Sequence, residues 1–278
     1  MPSAPLSELS LKLEDMTPEN SSTPIDPLSK LVCLITGGTR GIGRAIAKML
    51  AIEGASVAIC GRSEAAVEQA VRELTAETGG KVKGKAADVT NYEQVGELFK
   101  FVDSQFGGLD VLVNNAGVGV LRPISELSVQ DWHNTIDTNL TGVFYCCREA
   151  LFRFETRGGG YIVNMSSLAG KNAFAGGAAY NASKFALTGF SEAVMMDKRS
   201  ENVRVSYIMP GSVDTEFGGP ATGLGAPRTA GHASQDQKLG SDWKIWPEDI
   251  AEIVRMLLLT PPRTLISRVE VRPTKPKR

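Results

Sequence analysis

The sequence lacks the residue groupings that several classes of function require. It has only two histidines, His133 and His232, and its four cysteines form neither a CxxC pair nor a His/Cys cluster, so no metal site is predicted. The cysteines are interpreted as reduced core thiols. A formal net charge of -1 leaves no basic footprint for nucleic acid. Nucleic acid is therefore not an expected partner.

Long apolar runs are also missing. No stretch approaches the roughly 20 apolar residues that a membrane-spanning helix needs, so no membrane partner is predicted. The first residues lack a basic region followed by an apolar stretch, which excludes a recognisable secretory signal. The cytoplasm is therefore the expected location.

Three segments differ in composition from the rest of the chain. Residues 1–30 are rich in Ser, Pro and acidic groups and predict a disordered or loosely docked extension, with a short amphipathic segment that reaches a partner subunit as the alternative. Residues 216–241 are rich in Gly and Ala, which is typical of a lid over a substrate or of a passive insertion. The basic tail 272–278 is interpreted as a solvated terminus.

Between the ends, short β-branched runs alternate with longer segments of helical periodicity. This alternation predicts an α/β fold, a doubly wound Rossmann-type parallel sheet in three layers. No repeat or linker interrupts residues 31–278, so one domain is expected. The predicted strands are 31–36, 55–60, 81–87, 110–113, 160–165, 203–209 and 266–272, and the predicted helices are 41–53, 63–77, 91–106, 129–156, 178–199 and 247–259.

A glycine loop follows the first predicted strand and opens the first helix. It reads Thr36-Gly37-Gly38-Thr39-Arg40-Gly41-Ile42-Gly43. Glycines in this context permit a tight turn, a close approach of backbone N–H groups to a pyrophosphate, and close helix packing. The helix N-terminus adds positive potential for the anion. The loop predicts a dinucleotide site, and the alternative is a glycine turn that binds nothing.

The end of the second strand bears on the choice between NADP and NAD. It reads Cys60-Gly61-Arg62-Ser63, without the carboxylate that would bond a ribose 2′-hydroxyl. Arg62, together with Arg40 in the glycine loop, could pair with a 2′-phosphate. NADP is therefore favoured over NAD, although both arginines could simply be exposed residues at helix starts.

These motifs resemble the short-chain dehydrogenase/reductase family in its compact single-domain branch, over residues 31–272. The order of the matching motifs is highly specific. They are TGGTRGIG at 36–43, Asp88-Val89, Asn114-Asn115-Ala116-Gly117, Asn139, Ser167, Tyr180-Asn181-Ala182-Ser183-Lys184, Pro210-Gly211, and Val213 with Thr215.

The resemblance implies a role for each matching position. Asp88 would bond the adenine amino group and Val89 the adenine ring nitrogen, Val213 with Thr215 would hold the carboxamide, and Lys184 would hold the nicotinamide ribose. The expected cofactor-binding set is Gly37, Thr39, Arg40, Gly41, Ile42, Gly43, Arg62, Ser63, Asp88, Val89, Asn115, Ala116, Gly117, Tyr180, Lys184, Pro210, Gly211, Val213 and Thr215.

Tyr180 and Lys184 carry the expected proton chemistry. They are four residues apart on a predicted helix, so both side chains lie on one face. A free tyrosine has a pKa of about 10, and a neighbouring ammonium is expected to lower it towards neutrality. The phenol could then donate a proton to a developing alkoxide, or its phenolate could accept one from an alcohol.

The catalytic set is completed by a serine and an asparagine. Ser166 and Ser167 are adjacent at the end of a strand, so their side chains point to opposite sides. The family spacing selects Ser167 to bond the substrate oxygen. Ser166 is expected to pack against the sheet or to bond the backbone. By the resemblance, Asn139 opens its helix locally and holds a water that links Lys184 to solvent. The alternative is an asparagine on the surface of a helix whose apolar series faces the core. That series is Trp132, Ile136, Leu140, Phe144 and Cys147.

The sequence thus predicts an NADP-dependent oxidoreductase that moves a hydride between the nicotinamide and a carbonyl or secondary alcohol carbon. A catalytically silent NADP-binding sensor or scaffold is the alternative, and the intact set of Asn139, Ser167, Tyr180 and Lys184 argues against it. An epimerase or dehydratase of the longer branch would have a different glycine spacing and a larger C-terminal region. A homodimer or homotetramer is expected, and the substrate's structure cannot be inferred.

Overall fold

The computed structural model describes residues 28–217 and 243–275. Seven strands and seven α-helices alternate along these residues. The strands are β1 (Val32–Thr36), β2 (Ser56–Gly61), β3 (Val82–Ala86), β4 (Val111–Asn114), β5 (Gly160–Met165), β6 (Val203–Pro210) and β7 (Arg268–Val271). The helices are α1 (Gly41–Ile52), α2 (Glu64–Thr78), α3 (Tyr92–Phe106), α4 (Val129–Ile136), α5 (Gly142–Arg157), α6 (Ala178–Lys198) and α7 (Pro247–Leu259).

The strands form one parallel sheet in the order β3-β2-β1-β4-β5-β6-β7. The doubly wound fold that the sequence predicts is therefore confirmed. The strand order reverses between β1 and β4, and a sheet of this kind opens its binding crevice there, beyond the carboxyl ends of the strands. The glycine loop and Asn115 lie at this point because they follow β1 and β4 directly.

Helices cover both faces of the sheet. In β1, Cys33 and Ile35 pack into a core with α1, α2 and α7, whereas Val32 and Leu34 pack on the opposite face with α3, α5 and α6. This alternation follows from the two-residue period of a strand. Strands buried on both faces explain why the sequence shows short, continuous β-branched runs.

The described residues begin at a turn that packs on the core. Leu28 is buried, and its carbonyl oxygen accepts a hydrogen bond from the Leu31 N–H. The rest of the predicted extension lies outside the described residues, as do His232, most of the predicted loop 216–241 and the last three residues of the basic tail. Of the helices described, none is long and apolar enough to cross a membrane.

The predicted helix 129–156 is two α-helices separated by a wide π-helical turn, Asp137–Thr141. A π turn shifts the helical phase, so residues before and after it no longer share one stripe. The prediction that Trp132 and Phe144 face the core is therefore wrong, since they are 37% and 44% exposed. Val143 and Cys146 are buried in their place.

All four cysteines are free and buried. Burial raises the pKa of the Cys60 thiol to about 12, and burial likewise raises that of Cys147 to about 12. The interpretation of the cysteines as core thiols is confirmed.

Candidate active site

The glycine loop is a tight turn from β1 into α1. Gly37 and Gly41 have φ angles of 63° and 54°, a region that favours glycine. Helix α1 begins without a side-chain cap and without an acidic residue in its first turn, which leaves its N-terminal N–H groups available to an anion.

Asn115 holds this loop in shape from the neighbouring strand. Its Nδ2 donates to the carbonyl oxygens of Thr36 and Gly37, at 3.0 and 3.1 Å. A Cβ on Gly43 would collide with the Gly37 carbonyl oxygen and with this Asn115 amide. Gly43 therefore allows the close packing of Gly37 and Asn115 behind the loop. Unlike the other predicted cofactor residues, it does not line the cavity.

A cavity of about 1060 Å³ lies over the carboxyl ends of the strands. Its walls contain eighteen of the nineteen residues predicted to bind the cofactor, all except Gly43. They are Gly37, Thr39, Arg40, Gly41, Ile42, Arg62, Ser63, Asp88, Val89, Asn115, Ala116, Gly117, Tyr180, Lys184, Pro210, Gly211, Val213 and Thr215.

One end of the cavity is bounded by the ends of β2 and β3. Arg62 and Arg40 are exposed there, and Arg40 Nη1 lies 3.3 Å from the Glu216 carboxylate. Ser63 caps α2 by accepting the Ala66 N–H at 3.4 Å. The Asp88 carboxylate accepts hydrogen bonds from its own loop, from the N–H and hydroxyl of Thr90.

The other end contains three of the four residues predicted to be catalytic. Ser167 follows β5 and accepts the Ala169 N–H at 3.1 Å, and its hydroxyl lies near enough to the Tyr180 phenol of α6 to influence the pKa of that phenol. Lys184 is only 5% exposed, and its Nζ donates to the Met165 carbonyl oxygen at 2.8 Å. Its Nζ is 5.8 Å from the centroid of the Tyr180 ring.

Burial dominates the electrostatics of this pair. It raises the pKa of Tyr180, and the hydrogen bond from Ser167 lowers that pKa in part. Burial lowers the pKa of Lys184 to about 8. The expectation that the ammonium would bring the phenol towards neutrality is therefore wrong for the protein alone, because the Lys184 ammonium bonds a backbone carbonyl and not the phenol.

Asn139 lies in the π-helical turn and is fully buried. Its side-chain amide bonds both backbone groups of Val118, each at 2.8 Å, and donates to the Ser183 hydroxyl at 3.0 Å. The alternative of a helix-surface asparagine is therefore wrong. Asn139 joins the opened helix to the loop after β4 and to the helix that carries Lys184, without lining the cavity itself.

The two adjacent serines point in different directions. The Ser166 hydroxyl turns towards α6, where it lies 3.5 Å from the Lys184 carbonyl oxygen and 3.4 Å from the Thr188 hydroxyl. Ser167 is the one beside Tyr180. This arrangement agrees with the expectation from strand alternation.

Sequence reasoning missed a second asparagine, Asn181. Its Nδ2 donates to the carbonyl oxygens of Ala169 and Asn172 at 2.7 and 3.1 Å, and its Oδ1 accepts from Phe174 N–H at 3.4 Å. It thereby pins the segment after Ser167 to α6. The only sequence signal is its position next to Tyr180.

Several cavity residues beyond the predicted set were also missed, since they come from segments without a motif. Trp243 lines the cavity. His133 does not, and it is exposed on α4. Within residues 28–217 and 243–275, no group of three or more His, Cys, Asp or Glu residues could hold a metal ion. The missed cavity residues include Leu121, Leu168, Asn172, Phe174, Phe217 and Arg272.

The site has the features that a dinucleotide requires. Its turn leaves no room for a side chain at Gly38 or Gly43, an uncapped helix N-terminus faces the cavity, and two hydroxyls with a buried amine lie further along the same cavity. The fold and the site thus define a nucleotide-binding oxidoreductase of the doubly wound class.

Comparisons with known proteins narrow the class to a family. A family model described as short chain dehydrogenase matches residues 31–222. A 3beta-hydroxysteroid dehydrogenase of Mediterraneibacter gnavus is 43% identical over 188 residues, which are 66% of each chain. The chain belongs to the short-chain dehydrogenase/reductase family of oxidoreductases.

Two solved structures are similar over most of their length. An alcohol dehydrogenase from the archaeon Thermococcus sibiricus, complexed with 5-hydroxy-NADP, aligns with a TM-score of 0.76 and 32% identity over 89% of this chain and 99% of its own. A metagenomic short-chain oxidoreductase in complex with NADP aligns with a TM-score of 0.74 and 33% identity over 90% of this chain and all of its own.

Proposed function

We propose that this protein is an NADP(H)-dependent oxidoreductase that interconverts a carbonyl compound and a secondary alcohol, with Tyr180 as the general acid and base. The observation that carries the proposal is that Ser167, Tyr180 and the buried Lys184 line one cavity together with the glycine loop. The hydroxysteroid and alcohol activities named for two similar proteins are of this reaction type.

Each side chain has a defined task in reduction. The dinucleotide, when bound, supplies the hydride. Ser167 donates a hydrogen bond to the substrate oxygen and stabilises charge there, and the Tyr180 phenol transfers its proton to that oxygen as an alkoxide develops. In oxidation the phenolate accepts the proton. Lys184 holds the nicotinamide ribose hydroxyls, and Asn139 maintains a water route from Lys184 to solvent.

The remaining cavity residues fit the dinucleotide along its length. The loop of Gly37, Thr39, Gly41 and Ile42, supported by Gly43, takes the pyrophosphate. Asp88 and Val89 take the adenine. The ribose side is lined by Asn115, Ala116 and Gly117, and the carboxamide side by Pro210, Gly211, Val213 and Thr215.

Charge at the end of β2 favours NADP over NAD. Arg62 and Ser63 stand where a carboxylate would select the free ribose, and Arg40 adds a second cation. The Arg40–Glu216 ion pair is exposed on both sides, so a phosphate could displace the carboxylate at little cost. Two similar structures are complexes with NADP or a derivative of it, which also supports this choice.

Removing the phenol oxygen of Tyr180 distinguishes the proposed enzyme from the alternative, a silent NADP-binding sensor. In Tyr180→Phe, kcat/KM for carbonyl reduction with NADPH should fall about 10²- to 10⁴-fold, the usual contribution of general acid catalysis, while the Kd for NADPH stays nearly constant. Tyr92→Phe is the matched control, because its hydroxyl bonds Glu149 on the surface away from the cavity. Equal rates in the parent and Tyr180→Phe would remove the proposed function.

The cofactor assignment has its own test. Arg62→Asp should shift the ratio of kcat/KM from NADPH towards NADH by roughly tenfold or more, since a charge-assisted bond is lost and a repulsion is added. Arg72→Asp, on the exposed face of the same α2 region, should leave the ratio unchanged. An unchanged ratio in Arg62→Asp would exclude Arg62 as a 2′-phosphate ligand.

We expect a homodimer or homotetramer. Large apolar side chains are exposed on α5 and α6, among them Phe144, Phe152, Phe185 and Met196. We propose that a second copy of the chain packs against these side chains. Light scattering coupled to gel filtration should find a dimer or tetramer for the parent and a smaller species for Phe185→Asp.

A further inference from the structure

The reacting end of the cavity has a largely apolar wall. Phe217 lies against the reacting phenol, with its ring centroid 5.9 Å from that of Tyr180. Gly119 makes room for it, since a Cβ there would stand 2.9 Å from the Phe217 Cζ. Phe174 and Phe217 nevertheless remain 44% and 49% exposed, and Leu121, Leu168 and Trp243 extend the same wall. An apolar body of the substrate would cover these side chains.

The far rim of this end is basic. Arg272, immediately after β7, lines the cavity and is 54% exposed. Its Nη2 lies 3.2 Å from the Glu270 carboxylate, which also accepts Lys171 Nζ at 2.8 Å. With Arg268 Nε at 3.9 Å from the same carboxylate, three cations share Glu270 on the side of the cavity. A guanidinium has five N–H groups, so Arg272 retains donors for a further anion.

The strand order places this cation beyond the reacting centre and away from the cofactor's phosphates. Ser167 follows β5, whereas Arg272 follows β7, two strands further along the sheet. At about 4.8 Å between neighbouring strands, the two ends are about 10 Å apart. The glycine loop lies on the opposite side of β5, after β1. Arg272 is therefore positioned for a group on the substrate.

We infer that the substrate is a carbonyl or hydroxyl compound with a bulky apolar body and an anionic group, such as a carboxylate, that Arg272 binds on the β7 side of the reacting carbon. The spacing of about 10 Å between the ends of β5 and β7 sets the scale of the separation. This inference rests on the proposed function, and it adds the class of substrate. The apolar body contacts Phe174 and Phe217. The anion binds a guanidinium that has only a share of the Glu270 charge, because Lys171 and Arg268 pair with the same carboxylate.

The test compares two substrates that differ only in charge. A rigid biphenyl with an acetyl group at one end and a carboxylate at the other spans the required distance, and its primary amide is the neutral partner. With NADPH and the full-length parent, kcat/KM for the acid should exceed that for the amide about tenfold, the low end for a charge-assisted bond at an exposed rim. The difference should lie in KM, because Arg272 does not reach the reacting carbon.

A pair of variants assigns the preference to one side chain. Arg272→Gln should remove most of the advantage of the acid and leave the amide within about twofold, because only the charged ligand loses its partner. Arg268→Gln is the matched control. Arg268 lies on β7 next to the same Glu270 and is 53% exposed, but it does not line the cavity. It should keep the acid preference of the parent.

The outcomes are distinguishable. Equal kcat/KM for acid and amide in the parent would overturn the inference while the turnover itself upheld the proposed function. A parallel loss for both substrates in Arg272→Gln would also overturn it, by showing a structural effect. If the parent reduced neither these ketones nor any of a panel of neutral ones, the proposed function would fail and the inference with it.

Discussion

Replacing Lys184 with methionine should change how the stability of the protein depends on pH. The Lys184 ammonium is buried, with the Met165 carbonyl oxygen as its hydrogen-bond partner, and its pKa in the folded protein is lowered from 10.5 to about 8. A difference of about 2.5 between the two pKa values, at about 1.4 kcal/mol for each pKa unit, amounts to about 3 to 4 kcal/mol. That free energy opposes folding at neutral pH, because the unfolded chain binds this proton more tightly.

The sign of the effect follows from the direction of the pKa change. The destabilisation is fully present below pH 8 and is lost as the pH rises towards 10.5, where the unfolded chain also loses the proton. Lys184→Met carries no such proton. Its loss of the bond to the Met165 carbonyl oxygen costs about 1 to 3 kcal/mol at any pH. The free energy of unfolding of Lys184→Met minus that of the parent should therefore fall by about 2 kcal/mol between pH 7 and 9.5.

The measurement is urea unfolding at several pH values, without cofactor, for the parent and the variant. Taking the difference between them cancels the other titrating groups. Lys81→Met, at an exposed position before β3, is the control and should give a difference that does not vary with pH. A flat difference for Lys184→Met would refute the reasoning, since it would mean that the ammonium is not desolvated in the folded protein. Carbonyl reduction should be lost in this variant even where it is the more stable protein.

Three further predictions concern neighbouring groups. Ser167→Ala should lower kcat about 10²-fold or more through loss of a bond to the developing charge, while Ser166→Ala should stay within a few-fold, as steady-state rates will show. Asn181→Asp should lower the melting temperature more than Asn181→Ala does, and it should raise KM. The reason is that a carboxylate oxygen, an acceptor, would then face the carbonyl oxygens of Ala169 and Asn172. Equal melting temperatures of the two variants would contradict this. Since burial raises the pKa of Tyr180, alcohol oxidation should keep accelerating up to pH 9 or above, and a profile that levels off near pH 7 would contradict a raised pKa in the complex.

Most of the fold could be predicted from the sequence, because the patterns that specify it are local. Strands such as β5 have a continuous apolar run bounded by glycine, and helices such as α7 begin with Pro247 and acidic residues and keep an apolar stripe. The predicted ends agree with the structure to within about two residues, the usual disagreement at element ends. The exception is the segment 129–156, where the π turn around Asn139 changes the helical phase; periodicity gives no sign of it, and only the family resemblance implied that Asn139 opens its helix.

The site could be predicted only where a motif fixes both the residue and its neighbours. The glycine loop and the Tyr180–Lys184 spacing are of this kind, and the structure brings them to one cavity. Arg272 and Phe174 could not be found in the same way. They reach the cavity because β7 pairs with β6 and because Asn181 folds the segment after Ser167 onto α6, and such long-range contacts leave no periodic trace in the sequence.

Protonation shows why side-chain spacing is insufficient to assign a chemical role. From spacing alone, an ammonium one helical turn from a phenol should lower the phenol's pKa. Both groups are buried together, however, and the hydrogen bond of Lys184 is to Met165 backbone, so desolvation acts on both and drives each towards its neutral form. A neutral phenol is the form that can donate a proton. Burial in the protein alone therefore keeps Tyr180 in the form that the proposed reduction needs, and the proposed oxidation requires additional positive charge in the cavity to stabilise the phenolate.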